Sequence, residues 1–162
     1  MILRLSKTLL VAAVALYYTL MVFNNLTGYG SDYAFVHHVL QMDSTFPGNH
    51  GMWRAIHPLW IHAVFFGVII AWEAVTMLLT WAGTVELLRA VGKPGTAFHD
   101  AKTLAIAGLT LSLLMWLVAF LCIGGEWFLM WQSQTWNGQE AAFRMFAVVG
   151  LIFLLVAMPE TE

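Results

Sequence analysis

Four long apolar runs, separated by shorter polar segments, dominate the pattern of this chain of 162 residues. They cover about residues 3–25, 58–81, 101–123 and 141–158. Each is close to the roughly 20 residues that a helix needs to cross the hydrocarbon of a bilayer. We therefore predict an all-α membrane protein, with the whole chain (1–162) forming a single domain of four transmembrane helices.

The composition supports this class. Hydrophobic residues make up 60% of the chain and charged residues only 10%, and the mean hydropathy is +0.78, which excludes a soluble domain. The lipid bilayer is thus the first predicted partner. A net charge of -2 gives no electrostatic reason to expect nucleic acid, and the single cysteine, Cys122, excludes an intramolecular disulfide.

Two runs carry further signals about packing. Lys7 lies early in the first run, where we expect its side chain to reach back toward the lipid headgroups. In the third run, Ala101, Ala105, Gly108 and Ser112 recur at the spacing of one helical face. Such a face of small residues predicts a close approach to a neighbouring helix.

Positively charged residues are divided unevenly between the two sides of the predicted bundle. This excess marks the cytoplasmic side, so both termini are expected in the cytoplasm and the connections at about 25–57 and 124–140 outside. The richer side has Arg4, Lys7, Arg89, Lys93 and Lys102, and the other has Arg54 and Arg144.

The first outside connection is too long for a structureless loop in a compact protein. Ser31 or Asp32 can cap a short amphipathic helix, which we expect to lie near the membrane surface and to end near Met42. A turn at Pro47 and Gly48 follows.

The second outside connection mixes tryptophans with polar residues, which is typical of the membrane-water boundary. If residues 126–132 form a helix, we expect Trp127, Met130 and Trp131 to share the side that faces the membrane. Asn137 can cap the fourth span, and Glu140 and Arg144 stand four residues apart and can pair.

Burying the Glu73 side chain has a high free-energy cost, because Glu73 lies near mid-depth of the second span. His62 precedes it by eleven residues, close to three full helical turns, so both share a face that should point into the bundle. This pair predicts either a polar contact that holds the bundle together or a proton-relay or ligand site.

The outer side is also rich in potential ligands. Imidazole and carboxylate groups are those that zinc or copper would use, although their spacing matches no standard signature. Haem between helices would need two histidines within spans, and only His62 qualifies. A quinone needs only an apolar slot with one or two donors. The candidate metal ligands are His37, His38, His50, His57 and Glu126.

If a site exists outside the membrane, it should lie where the two outside connections meet the ends of spans two and four. The candidate residues there are Glu126, Arg54, His57, Asp43, Gln132, Asn137 and Arg144.

The chain resembles a bacterial family of predicted small integral membrane proteins, a four-span family with no assigned activity. The resemblance rests on the segments GEWFLMWQSQTWNGQEAAFR, DYAFVHHVLQMD and WRAIHP and on the region around Glu73. It implies a multi-pass protein of the bacterial inner membrane with its outside connections in the periplasm, and it implies no cofactor or catalytic residue.

No common catalytic motif is present in the sequence, so we favour a protein that is not an enzyme. The first hypothesis is an accessory or interaction subunit, bound to other membrane proteins or to copies of itself. The second is a redox, metal-binding or quinone-binding membrane protein that uses the outer His, Asp and Glu residues. The third is a small proton or ion transporter that uses Glu73 and His62. The sequence itself requires no cofactor.

Overall fold

The computed structural model describes residues 1–160. Four of its helices are long and apolar enough to cross a membrane: Ile2–Thr27, Leu59–Ala90, Gly95–Trp127 and Gln139–Ala157. Each coincides with one of the four predicted runs, so the prediction of a four-span, all-α membrane protein is confirmed.

We number the helices in chain order. They are α1 (Ile2–Thr27), α2 (Tyr29–Gln41), α3 (Leu59–Ala90), α4 (Gly95–Asp100), α5 (Thr103–Leu114) and α6 (Gln139–Ala157). Helix α5 continues without a break into a π-helix, here called the π segment (Met115–Trp127). Single 3₁₀ turns occur at Met52–Arg54 and Met130–Gln132.

The four spanning helices pack in a closed ring. Helix α1 contacts α3, α3 contacts α5, α5 and the π segment contact α6, and α6 returns to α1, while α2 lies against α3. We call the segments 28–58 and 128–138 together the cap, and the end of the bundle that carries them the cap side. The opposite end, where the chain begins and where residue 160 lies, is the terminus side.

Small residues bring α3 and α5 together. A Cβ added at Gly83 would overlap the backbone of Ala105, and one added at Gly108 would overlap Thr80. Ala105 and Ser112 are fully buried, and the Ser112 hydroxyl lies 2.7 Å from that of Tyr18 on α1. The predicted small-residue face of the third span is therefore the face that packs in the bundle.

The terminus side is fastened by a cluster of charges. The Glu160 carboxylate lies 2.7 Å from Lys7 Nζ, 2.5 Å from Lys102 Nζ and 3.4 Å from Arg4 Nε. Burial alone would raise the pKa of Glu160, but the hydrogen bonds and charges of Lys102 and Lys7 outweigh it and hold the pKa below its ordinary value. Both ends of the described chain thus meet at one end of the bundle.

This cluster corrects the expectation for Lys7. Its side chain is 2% exposed and binds Glu160 and the Met158 carbonyl instead of reaching out toward the headgroups. The sequence could not reveal this, because the carboxylate that binds Lys7 lies 153 residues away.

Two further boundaries differ from those predicted. Helix α2 begins at Tyr29, directly after Gly28, and the Ser31 hydroxyl donates to the Gly28 carbonyl, so neither Ser31 nor Asp32 caps its start. The third spanning helix continues to Trp127. Gly124 and Gly125 are buried within it and do not end it.

Candidate functional site

The cap is formed by the two connections packing on each other. Gln132 joins them through its side-chain oxygen, which accepts from the backbone N–H of Phe46 at 3.1 Å and from Asn49 Nδ2 at 3.4 Å. The hydroxyls of Ser44 and Ser133 are 2.8 Å apart. Gln132 therefore links the two connections. The first includes α2 and leads into α3, and the second leads into α6.

Arg54 fastens the cap to the end of the π segment. Its Nη1 donates to the Trp127 carbonyl at 3.1 Å. Its guanidinium carbon lies 5.4 Å from the Trp53 ring centre and 5.2 Å from that of Trp127, a geometry that favours cation-π attraction. The two indoles are themselves edge to face at 5.8 Å.

The tryptophans of the second connection only partly follow the prediction. Trp127 and Trp131 are exposed, whereas Met130, which the sequence predicts on the same side, is 2% exposed and points under the cap. The reason is that the helix ends at Trp127 and Leu129 adopts a left-handed conformation with φ of 55°. That turn places Met130 among Val36, Leu40 and Phe128 in the core beneath the cap.

His37 and His62 form a pair between α2 and α3. Their Nδ1 atoms are 2.9 Å apart, and His62 Nε2 lies 2.8 Å from the Ile56 carbonyl. Because a carbonyl only accepts, His62 Nε2 carries the proton and its Nδ1 accepts from His37 Nδ1–H. Partial burial, followed by the nearby His62 and His38, lowers the pKa of His37, while Asp43 opposes the shift. The surroundings of the pair thus favour the neutral form of His37.

His38 belongs to a second pair. Its Nδ1 lies 2.6 Å from the Asp43 carboxylate, and its ring stacks on Trp136 with centres 4.5 Å apart. Trp136 comes from the second connection, so this contact is another bridge across the cap.

The remaining outer candidates do not converge on one centre. Among residues 1–160, no three His, Cys, Asp or Glu side chains come close enough together to hold a metal ion. His50, His57 and Glu126 are exposed. Asn137 accepts a hydrogen bond from the Gln139 backbone N–H at 3.1 Å, but the residue at the N-cap position of α6 is Gly138, so Asn137 is not the capping residue that the sequence predicts. The expected pair between Glu140 and Arg144 is not formed in the described part of the chain.

Glu73 has a single partner from another helix. Its carboxylate accepts a hydrogen bond of 2.6 Å from Asn25 Nδ2 on α1, and Glu73 and Asn25 are both buried. His62 is buried on the same face of α3, as predicted. The side chains that separate Glu73 from His62 on that helix are apolar: Phe66, Ile69 and Ile70.

An apolar slot lies beneath the cap, between α3 and the π segment. Its volume is about 160 Å³, similar to engineered apolar cavities that stay dry and bind small hydrocarbons. Trp72 Nε1 is the one N–H or O–H group on its lining side chains, and it already donates to the Leu111 carbonyl. The slot is lined by Phe35, Val36, Val39 and Leu40 of α2, Phe65, Val68, Ile69 and Trp72 of α3, Ala119, Phe120, Ile123 and Gly124 of the π segment, and Phe128 and Met130.

The slot opens sideways, toward the surrounding hydrocarbon. Phe65, Val68 and Ile123 lie on its lining and also on the exposed apolar surface of the spans. The wall opposite α3 is the π segment, which is wider than an α-helix. Such geometry is rare and is found frequently at functional sites. We call this feature the lateral slot.

Sequence reasoning missed three parts of this arrangement. The sequence places Asn25 at the end of the first span and gives no sign that its amide pairs with the buried carboxylate of Glu73. The sequence predicts a short amphipathic helix near the membrane surface, but it gives no sign that the apolar side of α2, with Val36 and Leu40, covers the lateral slot. The run of apolar residues around Gly124 gave no sign of the π geometry.

These features together define an integral membrane protein with four spans and a folded cap at one end. The chain belongs to the DUF2165 family, described as predicted small integral membrane proteins, whose family model matches residues 3–159. No curated protein and no solved structure gives a significant match to the chain. The resemblance read from the sequence is therefore confirmed.

Proposed function

We propose that this protein binds the hydrocarbon chain of a lipophilic ligand in the lateral slot, without catalysing a reaction. In this proposal the protein lies in the bacterial inner membrane with its cap in the periplasm and both termini in the cytoplasm. The observation that carries the proposal is the slot itself. It is apolar throughout, it is covered by α2 and residues 128–130, and it is open to the bilayer at Phe65, Val68 and Ile123.

The chemistry of the slot defines the class of ligand. An apolar space of about 160 Å³ favours a hydrocarbon segment over water, which would need two to four polar partners. A phospholipid acyl chain and the isoprenoid tail of a quinone both supply such a segment. If the ligand is a quinone, the slot therefore holds its isoprenoid tail and not its headgroup, because the lining side chains offer no free donor for a quinone carbonyl.

Filling the slot tests this proposal. Ala119→Phe places a ring where the π segment lines the slot, and Val118→Phe makes a similar change at an exposed neighbouring position outside the lining. Each protein is purified in mild detergent, washed extensively and extracted with organic solvent, and the extract is analysed by mass spectrometry. We expect wild type and Val118→Phe to retain about one lipophile per chain and Ala119→Phe to lose it. The mass identifies acyl lipid or quinone. Equal retention by Ala119→Phe, or none by wild type, would show that the slot holds no ligand.

A second candidate function is that of an accessory subunit that binds another membrane protein or a further copy of itself. The observation that favours it is the exposure of large aromatic side chains on the cap, in particular Trp53, which is 73% exposed, and Phe46, which is 53% exposed. Aromatic side chains of this kind are frequent anchors in protein interfaces, and they are equally suited to the membrane-water boundary.

The mass of the complex after gentle extraction decides this second candidate. A species heavier than one chain plus detergent supports it, provided that the pair of changes Trp53→Ala and Phe46→Ala reduces the mass to that of a monomer. A strictly monomeric wild type without a bound protein would remove it.

The two remaining hypotheses receive less support. His37 pairs with His62 and His38 pairs with Asp43, and none of the described residues forms the group of three that a metal site needs. Glu73 and His62 are separated by apolar side chains and bind different helices. We therefore propose that both residues fasten α3 to its neighbours rather than forming a path for protons.

A further inference from the structure

A second cavity lies at the opposite end of the molecule, between the start of α5 and the end of α6. It has a volume of about 360 Å³ and is lined by His99, Lys102, Thr103, Ile106, Phe153 and Ala157. We call it the terminus-side groove. It is separate from the lateral slot, and its lining differs in having polar residues.

The lining of the groove changes from polar to apolar along the helices. His99, Lys102 and Thr103 lie at the end of the bundle, whereas Ile106 is almost one helical turn further into the membrane along α5. On α6, Phe153 lies about one turn deeper than Ala157 in the same way. This order, polar at the boundary and apolar toward the bilayer centre, is that of a lipid with its headgroup at the surface and its chain in the hydrocarbon.

The charges next to the groove are mostly positive. Arg4, Lys7 and Lys102 surround the single carboxylate of Glu160, so these four side chains carry a net charge of +2. Asp100 is exposed beside the groove, and including it still leaves +1 among the described side chains here.

Lys102 connects the charge cluster to the groove. It lines the cavity, and its Nζ donates to Glu160 and to the Met158 carbonyl, which uses two of the three protons of an ammonium group. His99 and Thr103 are exposed at the rim and add further polar groups. Basic pockets between transmembrane helices at the cytoplasmic boundary are suited to anionic lipid headgroups.

We propose that the terminus-side groove binds a phospholipid with an anionic headgroup. The phosphate lies at His99, Thr103 and Lys102 and an acyl chain lies along Ile106 and Phe153. The favourable potential comes from the excess of cations over Glu160. This site is independent of the lateral slot, which recognises only hydrocarbon, and it stands whether or not the slot binds a ligand.

Native mass spectrometry of the full chain tests this proposal with two probes, phosphatidylglycerol and phosphatidylcholine. Since a basic side chain near an anionic lipid surface contributes about 1 kcal/mol, we expect wild type to bind phosphatidylglycerol about fivefold more tightly. Ala157→Phe should abolish that preference, because the ring fills the groove from an exposed position. Ala141→Phe, the same change at an exposed position at the other end of α6, serves as the control and should keep it.

A second variant and a control with inorganic phosphate complete this test. His99→Leu removes a rim group without filling the groove and should reduce the preference, which keeps the test valid if Ala157→Phe unfolds. Inorganic phosphate added in neutral lipid should not raise the unfolding temperature. Equal binding of the two lipids by wild type, an unchanged preference in both variants, or full stabilisation by phosphate alone would overturn the proposal.

Discussion

Glu73 is the residue whose burial most needs explanation. A carboxylate in mid-span is costly, and among the described side chains its hydrogen-bond partner is Asn25, whose amide donates across 2.6 Å from α1. The contact joins α1 and α3, which also pack on each other along the bundle. Its value to the fold therefore depends on the acceptor oxygen rather than on the charge.

Substituting Glu73 separates these two properties. Glu73→Gln keeps an oxygen for Asn25 and removes the charge, so we expect a stability equal to or above that of wild type. Glu73→Leu leaves the Asn25 amide buried without a partner, which costs about 1–3 kcal/mol. Thermal unfolding in detergent measures both. We also expect Glu73→Gln to leave proton flux in liposomes unchanged, and a loss of flux specific to this variant would restore the transporter hypothesis.

Because of His37, the packing of α2 on α3 is expected to depend on pH. Burial and the nearby His62 and His38 lower the pKa of His37 in the folded state below its ordinary value of 6.5, against the opposing effect of Asp43. When α2 detaches, His37 binds a proton more readily, so docking is favoured at neutral pH and weakens as the pH falls through about 6.5 toward the folded pKa.

Hydrogen exchange of the α2 backbone, corrected for intrinsic rates, measures this effect. We expect less protection of Tyr29–Gln41 at pH 5 than at pH 7.5 in wild type. His37→Gln should reduce the difference, and His50→Gln, at an exposed histidine of the same connection, should leave it unchanged. Equal protection at both pH values in wild type would contradict the prediction.

At the scale of single residues, the sequence predicted which side chains of α3 are buried but not their partners. Periodicity alone puts His62 and Glu73 on one inward face, and both are buried. Their partners lie 25 and 48 residues away in the chain, and periodicity within one helix carries no information about which neighbour it meets.

The close contact between α3 and α5 depends on Gly83. A Cβ there would overlap the Ala105 backbone, whereas a Cβ at Gly67 of the same helix has nothing within 4 Å. We therefore expect Gly83→Ala to destabilise the protein by about 1–3 kcal/mol, the usual cost of overpacking. Gly67→Ala should be neutral or stabilising by up to about 1 kcal/mol, since alanine favours a helix. Similar unfolding temperatures for the two variants would contradict this packing.

At the scale of elements, the presence of helix α2 could be predicted from the sequence, but the fact that it covers the lateral slot could not. Its apolar residues indicated an amphipathic helix, and helix Tyr29–Gln41 is present. Whether its apolar face meets lipid or protein depends on where Phe128 and Met130 lie, and that follows from the left-handed turn at Leu129. A leucine in this conformation is uncommon, so no sequence signal announced it.

For the molecule as a whole, the buried charge cluster at the terminus side fastens the first helix to the end of the last. Glu160→Gln leaves Lys7 and Lys102, which are 2% and 3% exposed, without a carboxylate. Removing one partner of a buried ion pair costs about 3–5 kcal/mol. Glu86→Gln breaks the exposed pair with Arg89 and should cost less than about 1 kcal/mol. Equal losses in chemical unfolding would show that the cluster does not hold the ends together.

The four-span architecture was the most predictable level, because each helix must carry about 20 apolar residues whatever its neighbours are. The cap and the lateral slot were the least predictable. They depend on contacts between Gln132 and residues 46 and 49, and between Trp136 and His38, across more than 80 residues of sequence.

The most direct test of the lateral slot is an experimental structure of the protein extracted from its native membrane with little detergent. We predict elongated density that is not protein between α3 and the π segment, in contact with Phe65, Ala119 and Phe120. A slot closed by movement of Phe35 against α3, with no additional density in a map that resolves these side chains, would contradict it.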